Sequence, residues 1–292
     1  MFYLILTSLT WAFSFGLIKG QLTTLDPTAV VVLRLLFAAL VFVPFLKLRR
    51  IPARQAWRLA SIGALQFGIM YTLYLRAFAF LAAHEVVLFT IFTPVYVALL
   101  DAAIERRWQW RHFWAALLSI AGASVMLWHS LALAGIAAGF GLMQLSNLCF
   151  ALGQLAWRRE RARAPAGLRE RELFGLLYLG ALGASLAASL FSTDWPGFRP
   201  SAAQLGTIAY LGIIASGIGF FWWNLGALRV NAGTLAVMNN AKIPIGVLVS
   251  LLFFREQAAV PQLLLSGALM LSAVALAEGW LTKYRPRPPA AV

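Results

Sequence analysis

The chain of 292 residues has 24 basic and 10 acidic residues, a net charge of +14, yet 61% of its residues are hydrophobic and only 12% are charged. Soluble domains are about 45–50% apolar, so this composition and a mean hydropathy of +0.80 exclude an ordinary soluble protein. The single cysteine, Cys149, excludes an internal disulfide and a cysteine metal cluster. We therefore expect an all-α membrane protein that needs no metal and no cofactor.

Ten apolar runs follow one another along the chain, separated by basic connectors or connectors that contain Gly and Pro. Most are close to the roughly 20 residues that cross a hydrocarbon core, where the backbone must satisfy its own hydrogen bonds, so each run predicts a helix. The first run lacks the basic region and cleavage site of a signal peptide, which favours a retained helix. The runs lie near 2–18, 27–46, 58–79, 83–101, 111–128, 133–157, 172–192, 203–225, 232–254 and 261–281.

The sequence contains an internal repeat. At a shift of 150 positions, the segment Tyr74–Ala77 aligns with Asn224–Ala227 and Pro94 aligns with Pro244. Each copy holds five apolar runs, an odd number, so the second copy must enter the membrane from the opposite side. We predict two inverted five-helix repeats, residues 1–130 and 131–292, that form one membrane domain around a central cavity.

Most basic residues lie in alternate connectors, and the connector at about 158–171, between the sixth and seventh apolar runs, is the richest in arginine. By the positive-inside rule this asymmetry predicts that both termini are cytoplasmic. Membrane orientation explains the charge better than a nucleic-acid surface does. The expected partners are a lipid bilayer and a small-molecule substrate, with no nucleic acid, and no oligomer is implied.

Three basic residues remain inside the apolar runs: Arg34, Arg76 and Lys242. A charge at the centre of a membrane helix costs about 2.5 to 3.5 kcal/mol, so such residues usually face a partner or a watery cavity. Lys242 is the deepest, and it shares one helical face with Asn239. We predict that Lys242 and Asn239 line the cavity.

Further wall residues are predicted from matching faces of the two copies. The positions equivalent to the Lys242 face form an aromatic stripe, and polar residues on the first and sixth runs match at a shift of 137. Packing between helices or against lipid is the alternative for each of them. The predicted wall comprises Trp11, Tyr74, Phe89, Phe92, Tyr96, Gln144, Asn147, Phe220 and Trp223.

Pro94 and Pro244 lie inside their runs at equivalent positions, where each removes a backbone hydrogen bond. The paired placement predicts a gating hinge in each repeat. A static kink, tolerated by packing, is the alternative.

The doubled pattern of Pro94 with Glu105 and Pro244 with Glu256, together with Arg34, resembles the drug/metabolite transporter superfamily in its ten-helix EamA form. The aromatic-rich interior is similar to that of the YddG-type bacterial exporters of aromatic amino acids. The resemblance implies a bacterial inner-membrane exporter whose first, third, fourth, sixth, eighth and ninth helices surround the cavity.

We therefore expect a secondary exporter of amino acids, aromatic ones above all, that works by alternating access. Lys242 would meet the substrate carboxylate, and the amides of Asn239, Gln144 and Asn147 would bind the amino-acid backbone. Export of other metabolites or drugs is the alternative.

An intramembrane enzyme is the remaining alternative. His84–Leu88 lacks the second histidine of a zinc-peptidase motif, and neither a G-x-S-x-G elbow nor a P-loop is present. No catalytic or metal-binding residue is predicted.

Overall fold

A computed structural model describes residues 1–81, 83–127, 137–253 and 260–280. It is 83% helical with ten helices, and the described residues contain no strand, which confirms the predicted fold class. Four described stretches are long and apolar enough to cross a membrane on their own: Pro27–Phe45, Glu170–Ser189, Ala202–Ala227 and Pro261–Glu278.

Seven of the ten helices are continuous. The helices are numbered by their order in the chain. The continuous ones are α1 (Phe2–Gln21), α2 (Pro27–Phe42), α5 (Trp110–Leu127), α6 (Ala137–Ala162), α7 (Glu170–Ser189), α9 (Ala232–Phe253) and α10 (Val260–Glu278).

The other three contain an irregular turn. Helix α3 runs through Ala53–Gly63, a π-helical turn at Ala64–Ile69, and Met70–Ala77. Helix α8 runs through Ala202–Tyr210, a π-helical turn at Leu211–Ile218, and Gly219–Ala227. Helix α4 runs through Ala83–Phe89, a 3₁₀ turn at Thr90–Phe92, and Thr93–Glu105.

Helices α3 and α8, which are equivalent in the sequence repeat, pack against each other and run in opposite directions. The Nε2 of Gln66 donates to Asn224 at 3.3 Å, the rings of Phe67 and Phe220 stack at 4.6 Å, and Tyr71 pairs with Ser216 at 3.4 Å. As the residue numbers increase along α3, the numbers of their contact partners in α8 decrease. The two helices are therefore antiparallel, and the two copies have opposite polarity. The predicted boundary at 130/131 lies outside the described residues.

The arginine-rich connectors meet at one end of the bundle, which we call the basic end. Arg159 pairs with Glu105 at 3.0 Å and Arg58, near the start of α3, pairs with Glu160 at 3.6 Å, so the connectors after α2, α4 and α6 lie together. At the opposite end, Gln204 donates to the backbone oxygen of Gln21 at 3.0 Å. This arrangement agrees with the alternating charge pattern, and the cytoplasmic location of the basic end stays a prediction.

Helix α7 lies so close to α3 that glycine is required at the contact. A β-carbon at Gly180 would overlap the backbone oxygen of Ala60, whereas one at Gly183, on the same helix, would meet nothing within 4 Å. The α3–α7 contact is therefore backbone against backbone, a kind of packing that membrane helices use because lipid is as apolar as their side chains.

We expect Gly180→Ala to destabilise the protein by about 1–3 kcal/mol, because the added methyl group forces the α3 and α7 backbones apart. Gly183→Ala is the matched control, since it makes the same change on the same helix in open space. Thermal unfolding in detergent, followed by the loss of the monodisperse peak on size exclusion, measures both. Equal unfolding temperatures for the two variants would contradict the close contact.

Candidate functional site

A cavity of about 90 Å³ lies between the two repeats. Six helices that the resemblance implied, α1, α3, α4, α6, α8 and α9, contribute to its wall, and α2 adds one further residue, Arg34. The lining residues are Trp11, Ser14, Ile18, Arg34, Met70, Tyr71, Tyr74, Thr90, Thr93, Ser146, Asn147, Phe150, Phe220 and Lys242.

Five of the predicted wall residues line this cavity. They are Trp11, Tyr74, Asn147, Phe220 and Lys242. The ammonium nitrogen of Lys242 lies 5.9 Å from the centre of the Trp11 ring, within the range of a cation–π contact. None of the described lining residues is Asp or Glu, so the wall presents positive charge without a neutralising carboxylate.

Two other predicted residues lie behind the wall. Asn239 is one turn from Lys242 toward the start of α9, is almost fully buried, and donates to the backbone oxygen of Leu235 in its own helix. The ring of Trp223 stacks behind Trp11 with 5.2 Å between ring centres. Both residues support the lining without being part of it.

The aromatic stripe of α4 does not face the cavity. Pro94 has no N–H, and the chain before it tightens into the 3₁₀ turn, where the N–H of Thr93 bonds to Thr90 instead of Phe89. A 3₁₀ turn advances about 120° per residue instead of 100°, so the following side chains are rotated about the axis. Thr90 and Thr93 line the cavity in place of Phe89 and Phe92.

The displaced residues hold α4 against α6. The free carbonyl of Phe89 accepts hydrogen bonds from Asn147 at 2.7 Å and from Gln144 at 3.4 Å, and Tyr96 donates to Gln144 at 3.2 Å. Phe92 is 37% exposed, and its ring meets that of Phe140 of α6 edge to face. Gln144 and Tyr96 therefore brace α4 against α6 and do not line this cavity, and their binding of substrate stays a prediction.

The second cation of the cavity, Arg34, was not among the predicted binding residues. Asp26 caps α2 and Pro27 begins it, which places Arg34 two turns into the helix. Arg34 is 2% exposed, and its guanidinium donates to the hydroxyl oxygens of Tyr71 at 2.8 Å and Ser216 at 3.0 Å. Its Nη1 has no partner among the described residues.

The π-helical turn of α8 aims Ser216 at Arg34. A π turn leaves backbone carbonyls without their usual donors. Side chains of other helices supply them here: Trp11 donates to Ala215 at 3.0 Å, and Tyr178 donates to the carbonyls of Ser216 and Gly217 at 2.6 and 2.8 Å. Helices α1 and α7 thereby hold the turn in a conformation that directs the Ser216 hydroxyl to the guanidinium.

Beneath Trp11, on the side of the basic end, a buried layer of amides and indoles closes the cavity. Trp223 donates to Gln154 at 2.9 Å, and Trp157 donates to the backbone oxygen of Asn224 at 3.1 Å. These bonds join α6 to α8. The described structure is thus closed toward the basic end.

A sequence signal for Arg34 existed. It was one of three in-span cations, and of the other two Arg76 is exposed at the end of α3. Ranking by depth along the helix favoured Lys242, because the serine and tyrosine that hold Arg34 come from other helices.

Comparison with known proteins gives two kinds of match. A model of the EamA-like transporter family matches residues 1–128. A protein named probable biotin transporter from Pseudomonas aeruginosa is 38% identical over 275 residues, which cover 94% of this chain and 96% of that protein. Biotin transporters of Escherichia coli K12 and Salmonella typhimurium are 34% and 36% identical, over 96% of this chain and 94% of each relative.

The fold has a solved counterpart. A crystal structure titled only as a protein superposes with a TM-score of 0.78 over 97% of this chain and 98% of its own, at 20% identity. At this identity the likeness shows the fold alone.

We expect Ser216→Ala to lower the unfolding free energy by about 1–3 kcal/mol, because it removes two hydrogen bonds from a buried guanidinium. Ser61→Ala, at an exposed serine of α3, is the matched control. Thermal unfolding of both variants in detergent measures the difference. A variant at Ser216 as stable as the one at Ser61 would show that Arg34 does not need this partner.

Proposed function

We propose that this chain, which belongs to the EamA-like transporter family, carries biotin across the bacterial inner membrane as a secondary transporter. Biotin has one carboxylate on a flexible chain and a compact fused ring with a polar ureido edge. The observation that carries the proposal is that two cations, Arg34 and Lys242, line one cavity whose described lining contains no carboxylate. Such a site attracts an anion, because no described carboxylate of the lining repels it or competes with it for the cations.

Aromatic rings of the wall support binding of the rest of the molecule. Trp11 meets Phe220 edge to face at 5.2 Å, and Phe150 packs on Trp11 at 6.1 Å. These rings offer apolar faces to a fused ring. Asn147 and Ser146 stand on the α6 wall, where amide and hydroxyl groups suit a ureido edge.

An amino acid fits the same wall less well. Its ammonium group would lie beside two cations, and no described lining residue offers a carboxylate to receive it. For a zwitterion, the attraction between its carboxylate and the cations is therefore offset by the repulsion between its ammonium group and the same cations. The predicted export of aromatic amino acids has no support from the relatives, which are named as biotin transporters.

Alternating access would rock one five-helix repeat against the other, with Pro94 and Pro244 as hinges and the basic end in the cytoplasm. Pro94 follows the 3₁₀ turn that divides α4 into two parts, whereas Pro244 lies inside the continuous helix α9. The charge pattern supports the orientation.

In proteoliposomes loaded with unlabelled biotin, we expect the wild-type chain to accumulate labelled biotin by counterflow. Lys242→Gln should reduce the apparent affinity about 10- to 100-fold, because a hydrogen bond to a charged group contributes about 1.5–3 kcal/mol. Asp194→Asn, which removes a charge in the connector before α8, is a control for a general effect of charge.

Competition by unlabelled compounds for the counterflow of labelled biotin distinguishes the candidate substrates. Biotin should compete with its own labelled form, whereas its neutral methyl ester, tryptophan, phenylalanine and tyrosine should not. Counterflow of tryptophan in place of biotin would reverse the assignment, and full biotin transport by Lys242→Gln would remove Lys242 from the site.

A further inference from the structure

A second and larger cavity, of about 550 Å³, opens beside the first at the end of the bundle opposite the basic end. We call it the vestibule. It lies between the end of α1, the start of α2 and the end of α3, and its walls are apolar. The wall residues that matter here are Leu22, Val30, Leu75, Phe78 and Ala79.

Arg34 belongs to both cavities. It lines the vestibule and the central cavity, together with Ile18, and it is the one charged residue among the described residues of the vestibule wall. Its buried Nη1 lacks a partner, while the other nitrogens are fixed by Tyr71 and Ser216. The guanidinium is therefore a rigid, unneutralised cation in the partition between an apolar chamber and the central cavity.

The sizes of the two cavities separate their roles in this conformation. Sites for drug-sized ligands usually have volumes of about 300–1,000 Å³. The vestibule, at about 550 Å³, lies within that range, whereas the central cavity, at about 90 Å³, does not. A drug-sized substrate can therefore occupy the vestibule in this conformation, whereas the central cavity must first expand to hold it.

A continuous line of aromatic rings connects the two cations. The Cζ of Arg34 lies 4.6 Å from the centre of the Tyr71 ring, and the Nζ of Lys242 lies 5.9 Å from the Trp11 ring. Phe220 stands between these rings, 5.5 Å from Tyr71 and 5.2 Å from Trp11. An apolar group that follows the carboxylate therefore passes over aromatic faces along the whole path.

We infer that the chain binds its substrate at two successive stations, and that the vestibule is the first. An amphipathic monocarboxylate enters the vestibule, places its carboxylate on Arg34, and keeps its apolar body against the vestibule wall. The carboxylate then passes to Lys242 while the body moves over Tyr71, Phe220 and Trp11. The inference rests on the proposed function for the identity of the substrate, but the first station requires only a carboxylate and an apolar body.

We expect the vestibule to bind a wider range of compounds than the chain transports. No group of the described vestibule wall other than Arg34 carries a charge, so the carboxylate and an apolar chain suffice for binding there. Octanoate should therefore occupy the vestibule as biotin does. Biotin methyl ester, which has the body without the charge, should not.

The test uses the single native thiol. Cys149→Ser removes it, and Ala79→Cys places a reporter on the exposed vestibule wall. In membranes, biotin and octanoate should slow labelling of the reporter by a membrane-impermeant maleimide at least about fivefold. Arg34→Gln should raise the half-protecting concentration of either compound at least about tenfold.

Lys242→Gln separates the two stations. This variant should retain protection of the vestibule reporter within about twofold while it loses biotin counterflow. Ala203→Cys, on the exposed start of α8 outside the vestibule, is the matched control and should label at the same rate with and without either compound.

The outcomes distinguish this inference from the proposed function. Protection by both carboxylates without biotin counterflow would support the vestibule station and reject biotin transport. Biotin counterflow without protection, or protection that is unchanged in Arg34→Gln, would overturn the two-station path and leave transport standing. Equal protection by biotin methyl ester would also overturn it, because the carboxylate would then be irrelevant.

Discussion

The arrangement of the bundle depends on a guanidinium that is buried where three helices meet. Arg34 of α2 is bound by Tyr71 of α3 and by Ser216 of α8, so it joins the two repeats. A buried charge is expensive unless hydrogen bonds compensate it, and here hydroxyl groups, which cannot neutralise it, are its described partners. The charge is thus solvated by the protein and still available to an anion. If an acidic residue replaced Ser216, its carboxylate would neutralise Arg34, and the guanidinium could no longer bind an anion.

The irregular turns of α3 and α8 make this site possible. An ordinary helix satisfies its own carbonyls, and a side chain such as Tyr178 would then have no acceptor in α8. The π turn exposes the carbonyls of Ala215, Ser216 and Gly217, and donors from α1 and α7 bind them. Because the turns occur at overlapping positions in both copies, they are a property of the repeat, and α8 uses its turn to position a ligand of Arg34.

Much of the fold could be predicted from the sequence, because helix number and polarity depend on hydrophobic runs and on the odd number of runs per repeat. Lys242 and Trp11 could be placed in the cavity because each needed only the depth and periodicity of its own helix. Phe89 and Phe92 do not line the cavity, because the 3₁₀ turn at Thr90–Phe92 changes the helical register between the two parts of α4, and Thr90 and Thr93 face the cavity instead. Arg34 and the vestibule depend on contacts between α2, α3 and α8, and no local pattern reports those contacts.

Equivalent prolines have produced unequal helices. Pro94 begins the second half of α4 after a 3₁₀ turn, and the amides of Gln144 and Asn147 tie that joint to α6. Pro244 lies within α9, which continues through it as one helix of 22 residues. The two halves of the molecule therefore differ at this point: α4 contains a 3₁₀ joint that is tied to α6, whereas α9 is a continuous helix. A carrier built in this way need not cross the same energy barrier in its inward and outward strokes.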